Sequence, residues 1–475
     1  MEKKKSSFFL YTLLLIVFEL FIYMVEPYIG SKANIFIIIL ISLISLIYII
    51  YCKKNNCLNY KTITLLVLVI GVLIRNLYIL KTSIYERQHD VETLDSNGHL
   101  RYIYDLYKTG KLPVTNDWQF YHPPFFHLIG AGWLKINSII GLPLERSLEG
   151  LQILTVIFSS LIMMVSYLII DKLKIKDKYK FILNAFMAFY PTFIILSGSI
   201  NNDCLLTLLE FSIIYYLINW YYNTSWYNTV ILATLTGLCV MTKLNGAIMA
   251  IPILYVFIKK FIELYKNDKN KIWKLITQII IFGLISLPIG LWYQVREYIL
   301  FDGNSVPYPD DLLYTGNYSM FERFFSISFI SIFKIFCIIP GDYNIFAYIV
   351  KCSIFGEYLY GNLNFIHIFM VFVNFILIVA SIIFMIKYMI KRKEHNFIIN
   401  LLLFVWLANI ISFYLFNYKY PYLCTMDFRY IIPTVFTGVV LIVHNLNLKY
   451  RIFYGFIESC LIIFIGLCFL FQFTI

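Results

Sequence analysis

Side chains able to do acid–base or phosphate chemistry are few in this chain, and they fall at the ends of long apolar runs. His89, Asp90 and Glu92 stand within four positions of one another, and His99 and His122 follow in the same polar stretch, which spans 85–131. Asp203 opens an apolar run after Asn201 and Asn202; Lys243 lies between two apolar runs with almost no polar loop around it; Arg296 closes a third run; and Asp427 and Arg429 precede a fourth. In that company a carboxylate can take the proton of an acceptor hydroxyl as general base, while lysine and arginine neutralise a departing phosphate. A histidine with two or three carboxylates can also take a divalent cation, although no short metal motif is present. Each residue has a plainer use as well. Asp203 beside asparagine can cap a helix, Arg296 and Arg429 can reach lipid head groups as interfacial anchors, Asp90 and Glu92 can be a solvated loop, and His122 can hydrogen-bond at a helix start. Lys243 is harder to explain that way, because a buried lysine needs a partner or loses its charge.

The elements that must carry these residues are membrane helices. Hydrophobic residues make up 60%, aromatic residues 19% and charged residues only 14% of the chain, against about 25% charged in soluble domains. Apolar runs of roughly 17–25 residues recur, each long enough to cross about 30 Å of hydrocarbon as a helix. An outer-membrane barrel, with shorter alternating strands, is excluded. The expected fold is an all-α polytopic membrane protein with about thirteen spans, at 8–29, 33–52, 62–81, 148–171, 179–198, 203–223, 228–243, 246–264, 272–296, 363–390, 397–418, 428–447 and 451–473. The first run follows three lysines and lacks a small-residue cleavage site, so it is expected to be a retained anchor.

With the amino terminus in the cytoplasm, the basic segments 53–54, 171–180, 259–274, 387–393 and 449–451 all fall on the cytoplasmic side, as the positive-inside rule requires. The long polar loops then share the outer face. The net charge of +12 belongs to the short basic loops and to anionic lipid head groups, not to a nucleic-acid partner. Most cysteines lie within apolar runs as small hydrophobes, and Cys52 and Cys57 lack the spacing and histidine companions of a zinc site. In the first outer loop, Asp95, Ser96 or Asn97 can cap an amphipathic helix through Tyr107 that stops at Gly110, with Pro113 beyond. Pro123 and Pro124 then open a second helix running to Ile136. The loop 297–362 is expected to repeat this style. The reading divides the chain into an amino-terminal two-helix addition (1–60), a catalytic transmembrane module (61–447) with outer loops 82–147 and 297–362, and a last helix (448–475).

The order of these parts resembles the GT-C membrane glycosyltransferases, in particular the family 39 group of protein O-mannosyltransferases and lipid A aminoarabinose transferases. The resemblance rests on His89-Asp90-Val91-Glu92 after an early span, the helix starting Gly98-His99-Leu100-Arg101, and Tyr121-His122-Pro123-Pro124. It continues with Asn202-Asp203, Thr242-Lys243, and Arg429-Tyr430 followed by Pro433, covering 76–433. It implies a GT-C bundle and inverting transfer of a sugar from a polyprenyl-phosphate donor to a lipid, protein or cell-wall polymer on the extracytoplasmic face. The membrane would be the plasma membrane, or that of the endoplasmic reticulum in a eukaryote. It further implies Asp90 as base, Asp203 as a second catalytic carboxylate, and Lys243, Arg296 and Arg429 toward the donor phosphate. The family's acidic pair is often adjacent, whereas here Val91 separates Asp90 from Glu92; His89, Glu92, His99 and His122 are therefore candidates for acceptor or metal contacts. No nucleotide is called for, in keeping with the absence of any phosphate-loop motif.

Two rival classes fit parts of the pattern. A lipid-linked sugar transporter or flippase would also gather charge within a bundle, but it predicts internal repeats that the sequence lacks. A ligase or polymerase would use a lipid diphosphate donor. The assignment of Asp90 predicts that Asp90→Asn lowers sugar transfer from polyprenyl-phosphate donors in membranes by about 10²–10⁴-fold, the usual contribution of a general base; near-normal transfer removes Asp90 from the role.

Overall fold

The computed structural model describes residues 2–86, 91–302, 314–326, 343–356, 365–390, 396–448 and 452–474. His89 and Asp90 lie outside the described residues. The described chain is helical, and among the described residues the only β pairing is an isolated bridge between Tyr314 and Tyr422. Helices α1 (Glu2–Ile29), α2 (Ala33–Lys54) and α3 (Tyr60–Lys81) lead into α4 (His99–Thr109), α5 (Phe125–Ile139) and α6 (Leu144–Glu149). The bundle continues through α7 (Leu151–Asp171), α8 (Asp177–Phe189), α9 (Pro191–Gly198), α10 (Asp203–Tyr222), α11 (Trp226–Thr242), α12 (Ala250–Asn267) and α13 (Ile272–Phe301). After α14 (Met320–Phe324) and α15 (Ile345–Phe355) come α16 (Phe365–Ile390), α17 (Phe397–Lys419), α18 (Pro433–Leu448) and α19 (Ile452–Phe471).

Nine helical runs among the described residues are long and apolar enough to cross a membrane, and a pair bent by 53°, Cys424–Ile431 with Pro433–Leu448, makes a tenth. The chain is a multi-pass membrane protein. The thirteen spans expected from sequence map onto these runs with two differences. The first run, Leu10–Lys54, counts once but holds two expected spans. Within it, α1 runs alongside α3 in the same direction, since Glu19 accepts from Asn76 at 3.1 Å and Tyr23 shares a cavity with Thr82. Helix α2, joined to α3 by five residues, packs against it in the opposite sense. The second difference is around Lys243, where α11 has 17 residues and α12 carries Lys259, Lys260 and Glu263 on its polar face. Both fall short of the length or apolarity of an independent span.

Helix–helix contact explains why polar groups survive in the apolar interior. Arg75 on α3 is fully buried; its guanidinium donates to Ser159 Oγ at 2.8 Å and to the carbonyls of Gly71 and Ala188 at 2.9 and 3.0 Å. An intramembrane arginine persists only when its donors are met by such neighbours. It thereby pins α3 to α7 and α8.

In the first loop, α4 stops where its local signals place the stop, but it starts after Gly98 with no side-chain cap, so Asp95, Ser96 and Asn97 do not cap it as expected. Helix α4 begins at His99 and ends at Thr109, where Gly110 takes the left-handed conformation (φ +65°) and its N–H returns to Leu106. That conformation is open to glycine without a Cβ penalty. Leu100, Ile103 and Leu106 form the buried face, packed on α5, which runs three residues beyond the expected Ile136. In the second long loop, α15 is placed differently from α4 and α5. It is buried on nearly every face between α9 and α16, with Thr192 donating to the Ser353 carbonyl and Asn374 to that of Val350.

A close approach of α3 to α7 and α8 generates a prediction. A Cβ at Gly71 would stand 3.0 Å from Ala188 Cβ and 2.7 Å from Met163 Sδ. Gly71→Leu is expected to destabilise the purified protein by about 1–3 kcal/mol, as overpacking does, seen as a lowered melting temperature.

Candidate functional site

Asp203 and Lys243 are brought together by the way their helices end. Asn202 donates from its side chain to the Thr242 carbonyl at 3.3 Å, which sets the start of α10 against the end of α11. Asn201 Oδ1 accepts the backbone N–H of Asp203. Lys243 leaves α11 in an extended conformation (φ −158°), and its ammonium donates to Asp203 Oδ1 at 2.6 Å. Both side chains are buried, Asp203 at 1% exposure. A third segment closes on the pair. Asn245 donates to the Tyr430 carbonyl, Arg429 Nη1 lies 3.8 Å from Asp203 Oδ2, and the Lys243 ammonium sits 4.9 Å from the centre of the Tyr430 ring. Asp427 holds Arg429 in turn, accepting its backbone N–H at 2.9 Å and approaching Nε at 3.4 Å.

The first loop joins this centre through a stack of rings. His99 Nδ1 and His127 Nε2 are 2.9 Å apart, His99 lies parallel to His122 with centroids 5.6 Å apart, and His127 stacks on Tyr102 at 4.0 Å. Tyr102 and Tyr293 share a hydroxyl hydrogen bond of 3.2 Å, and Tyr293 donates to the Phe120 carbonyl at 2.9 Å. The loop is thus fastened to α13. Burial, then the positive charges of Lys243 and Arg429, hold the His99 imidazole well below the usual histidine range, and burial and Lys243 lead the same effect at His122. Burial and His99 depress His127. Among the described residues no three histidine, cysteine or carboxylate side chains are grouped to hold a metal ion.

These parts surround a cavity of about 700 Å³. Lys243, Arg429 and His122 line it, with the aromatic rings of Trp118, Tyr121, Tyr298, Phe416, Tyr420 and Tyr430. Of the residues singled out from sequence, the fold therefore gathers Lys243, Arg429, Asp203 and His122 and seats His99 behind them. Two others point elsewhere. Arg296 is paired with its neighbour Glu297 and donates to the Pro113 carbonyl at 2.7 Å, so it ties the loop to α13 while Glu297 faces the cavity. Glu92 is exposed, in a left-handed conformation (φ +57°). Sequence reasoning missed His127, Tyr102 and Tyr293. His127 closes the polar stretch 85–131, which was its one signal; the tyrosines sit among many others and carried none.

Residues 136–302 match the family model described as dolichyl-phosphate-mannose-protein mannosyltransferase, a stretch from α5 to α13 that takes in Asp203 and Lys243. The comparison with curated proteins gives no match. Among solved structures, the archaeal oligosaccharyltransferase AglB from Archaeoglobus fulgidus, in complex with an inhibitory peptide and a dolichol-phosphate, is similar at 14% identity with a TM-score of 0.50. The match covers 87% of this chain and 55% of that one. ArnT from Cupriavidus metallidurans, bound to undecaprenyl phosphate, matches at 12% identity with a TM-score of 0.36, over 80% of this chain and 76% of that one. The chain thus spans little more than half the length of the archaeal protein. It shares its fold with the archaeal oligosaccharyltransferase, and its stretch 136–302 is similar to the mannosyltransferase family model, in line with the resemblance read from the sequence.

The histidine stack makes a pH prediction. Because the folded state holds these imidazoles neutral and the unfolded chain does not, unfolding takes up protons below the ordinary histidine value of about 6.5. Stability is therefore expected to be full above that pH and to fall as pH drops through it. Melting curves between pH 5 and 8 check this, and His127→Gln should flatten the dependence.

Proposed function

We propose that this protein transfers a sugar from a polyprenyl-phosphate donor to an acceptor hydroxyl on the extracytoplasmic face of the membrane, with inversion at the anomeric carbon. The observation that carries the reading is the convergence of Lys243 and Arg429, from distant parts of the chain, on one aromatic-walled cavity. Two buried cations on one wall of the cavity are a preorganised partner for phosphate charge that grows as the donor bond breaks. Aromatic walls suit the apolar face of a sugar ring and the first part of a lipid tail.

In this scheme Asp90 takes the proton of the acceptor hydroxyl. The acceptor oxygen attacks the anomeric carbon, and the bond from that carbon to the phosphate oxygen breaks. Its electron pair leaves with the polyprenyl phosphate, whose charge Lys243 and Arg429 offset. Asp203 does not line the cavity; locked on Lys243 at 2.6 Å, it acts as a positioning residue that keeps the ammonium aimed.

The test separates charge from packing. Removing Asp203 alone, as Asp203→Ala, strands the buried ammonium and should cost about 3–5 kcal/mol of stability. Replacing both partners, as Asp203→Asn with Lys243→Met, should recover most of that stability while sugar transfer falls by about 10²–10³-fold, the scale of losing one charge-stabilising donor. A folded double variant with near-normal transfer from polyprenyl-phosphate donors would count decisively against the proposal.

A further inference from the structure

Gln119 is held in a conformation that side chains rarely adopt. Its φ is +67°, in the left-handed region. It is 1% exposed, lines the cavity, and among the described residues its Oε1 meets no hydrogen-bond donor. The backbone around it is over-determined. His122 N–H returns to the Gln119 carbonyl, Tyr293 holds the Phe120 carbonyl, and the Phe120 ring stacks on Tyr102 with centroids 5.0 Å apart. Strain kept in place by its surroundings, combined with a buried polar atom left unpaired, calls for an explanation beyond packing.

A second residue repeats the orphaned acceptor. Gln294 on α13, next to Tyr293, lines the same cavity, and its Oε1 is likewise buried without a donor among the described residues. Two carboxamides that line one cavity, each with a buried oxygen short of a donor, ask for a ligand that supplies O–H or N–H donors. An ionised phosphate has none to give, and the cavity already offers it Lys243 and Arg429. A cationic amine would be better served by a carboxylate, and the carboxylate that lines this cavity, Glu297, is paired with Arg296. What remains is a ring of neutral hydroxyls with an apolar face, for which Trp118 and Tyr298 supply aromatic surface in the same cavity.

We infer that Gln119 and Gln294 are a specificity-determining pair that reads the hydroxyl groups of the transferred sugar, apart from the cations that hold its phosphate. The inference rests on the proposed donor class and divides its cavity into a sugar-reading part and a phosphate-holding part. The strained turn at Gln119 is then what aims one acceptor at the ring, and Tyr293 fixes that turn against the helix that carries the other.

The experiment uses the full chain in lipid nanodiscs and two probes, a polyprenyl phosphate and the same lipid phosphate carrying one neutral hexose. Dissociation constants are measured for the wild type, Gln119→Leu, Gln294→Leu and Gln119→Gly; the glycine form removes the amide and relieves the left-handed strain, so it reports even where leucine disturbs the turn. Each substitution is expected to weaken the sugar-bearing lipid by about tenfold, the scale of a lost buried hydrogen bond, and to leave the bare lipid phosphate within about twofold. An unchanged ratio between the two lipids, or equal weakening of both in Gln119→Gly, overturns the subsite while leaving the donor class standing. A wild-type protein that binds neither lipid overturns the donor class and the subsite with it.

Discussion

A buried ion pair between Lys243 and Asp203 is the constraint on which the rest of the site depends. Taking two charges out of water costs several kcal/mol for each ion, and only a short contact with further polar support offsets it. Here the contact is 2.6 Å, and the support comes from three separate segments. Asn201 orders the start of α10, Asn202 ties it to the end of α11, and Arg429 approaches the second carboxylate oxygen. Any shift of one segment would leave a charge without its partner in a dry interior. The ends of α10 and α11 and the turn before α18 therefore move together or not at all, which gives the cationic side of the cavity its preorganisation.

The other side of the cavity is fixed by neutral contacts. Tyr293 bonds to Tyr102 and to the Phe120 carbonyl, and Arg296 reaches the Pro113 carbonyl from the next turn of α13. The described part of the first loop is accordingly a wall of the bundle and not a free lid. Burial keeps its three histidines neutral, aided by the nearby cations at His99 and His122, so the wall adds ring surface and hydrogen bonds without adding charge that would compete for an anion.

Ionisable groups inside the apolar bundle are a warning against reading every membrane charge as chemistry. Arg75 is as deeply buried as Asp203, yet its donors end on Ser159 and on backbone carbonyls of α3 and α8. The difference is what the side chain faces. Arg75 faces packed backbone and a serine, whereas Lys243 faces the Asp203 carboxylate on one side and a cavity on the other.

Much of this was legible before any coordinates. Runs of about 20 apolar residues required membrane helices, Gly110 and the paired prolines at 123 and 124 punctuated the first loop where the helices stop and start, and the alternation of spans sent Asp203, Lys243 and Arg429 to one end. These signals are local, because helical periodicity, capping and span length are written within a few turns of chain. Which of the gathered groups meet was not legible. Lys243 pairs with a carboxylate 40 positions away, His127 with a histidine 28 positions away, and no local pattern encodes such partners. Arg296 shows the limit most clearly. It occupies the expected end of its span, but each residue turns a helix by about 100°, so Gln294 and Glu297 line the cavity while Arg296 between them is turned to the loop. Sequence alone determined the fold class and the membrane end at which polar groups collect; only packing, by setting the rotation of each helix about its own axis, decided which of them face the cavity.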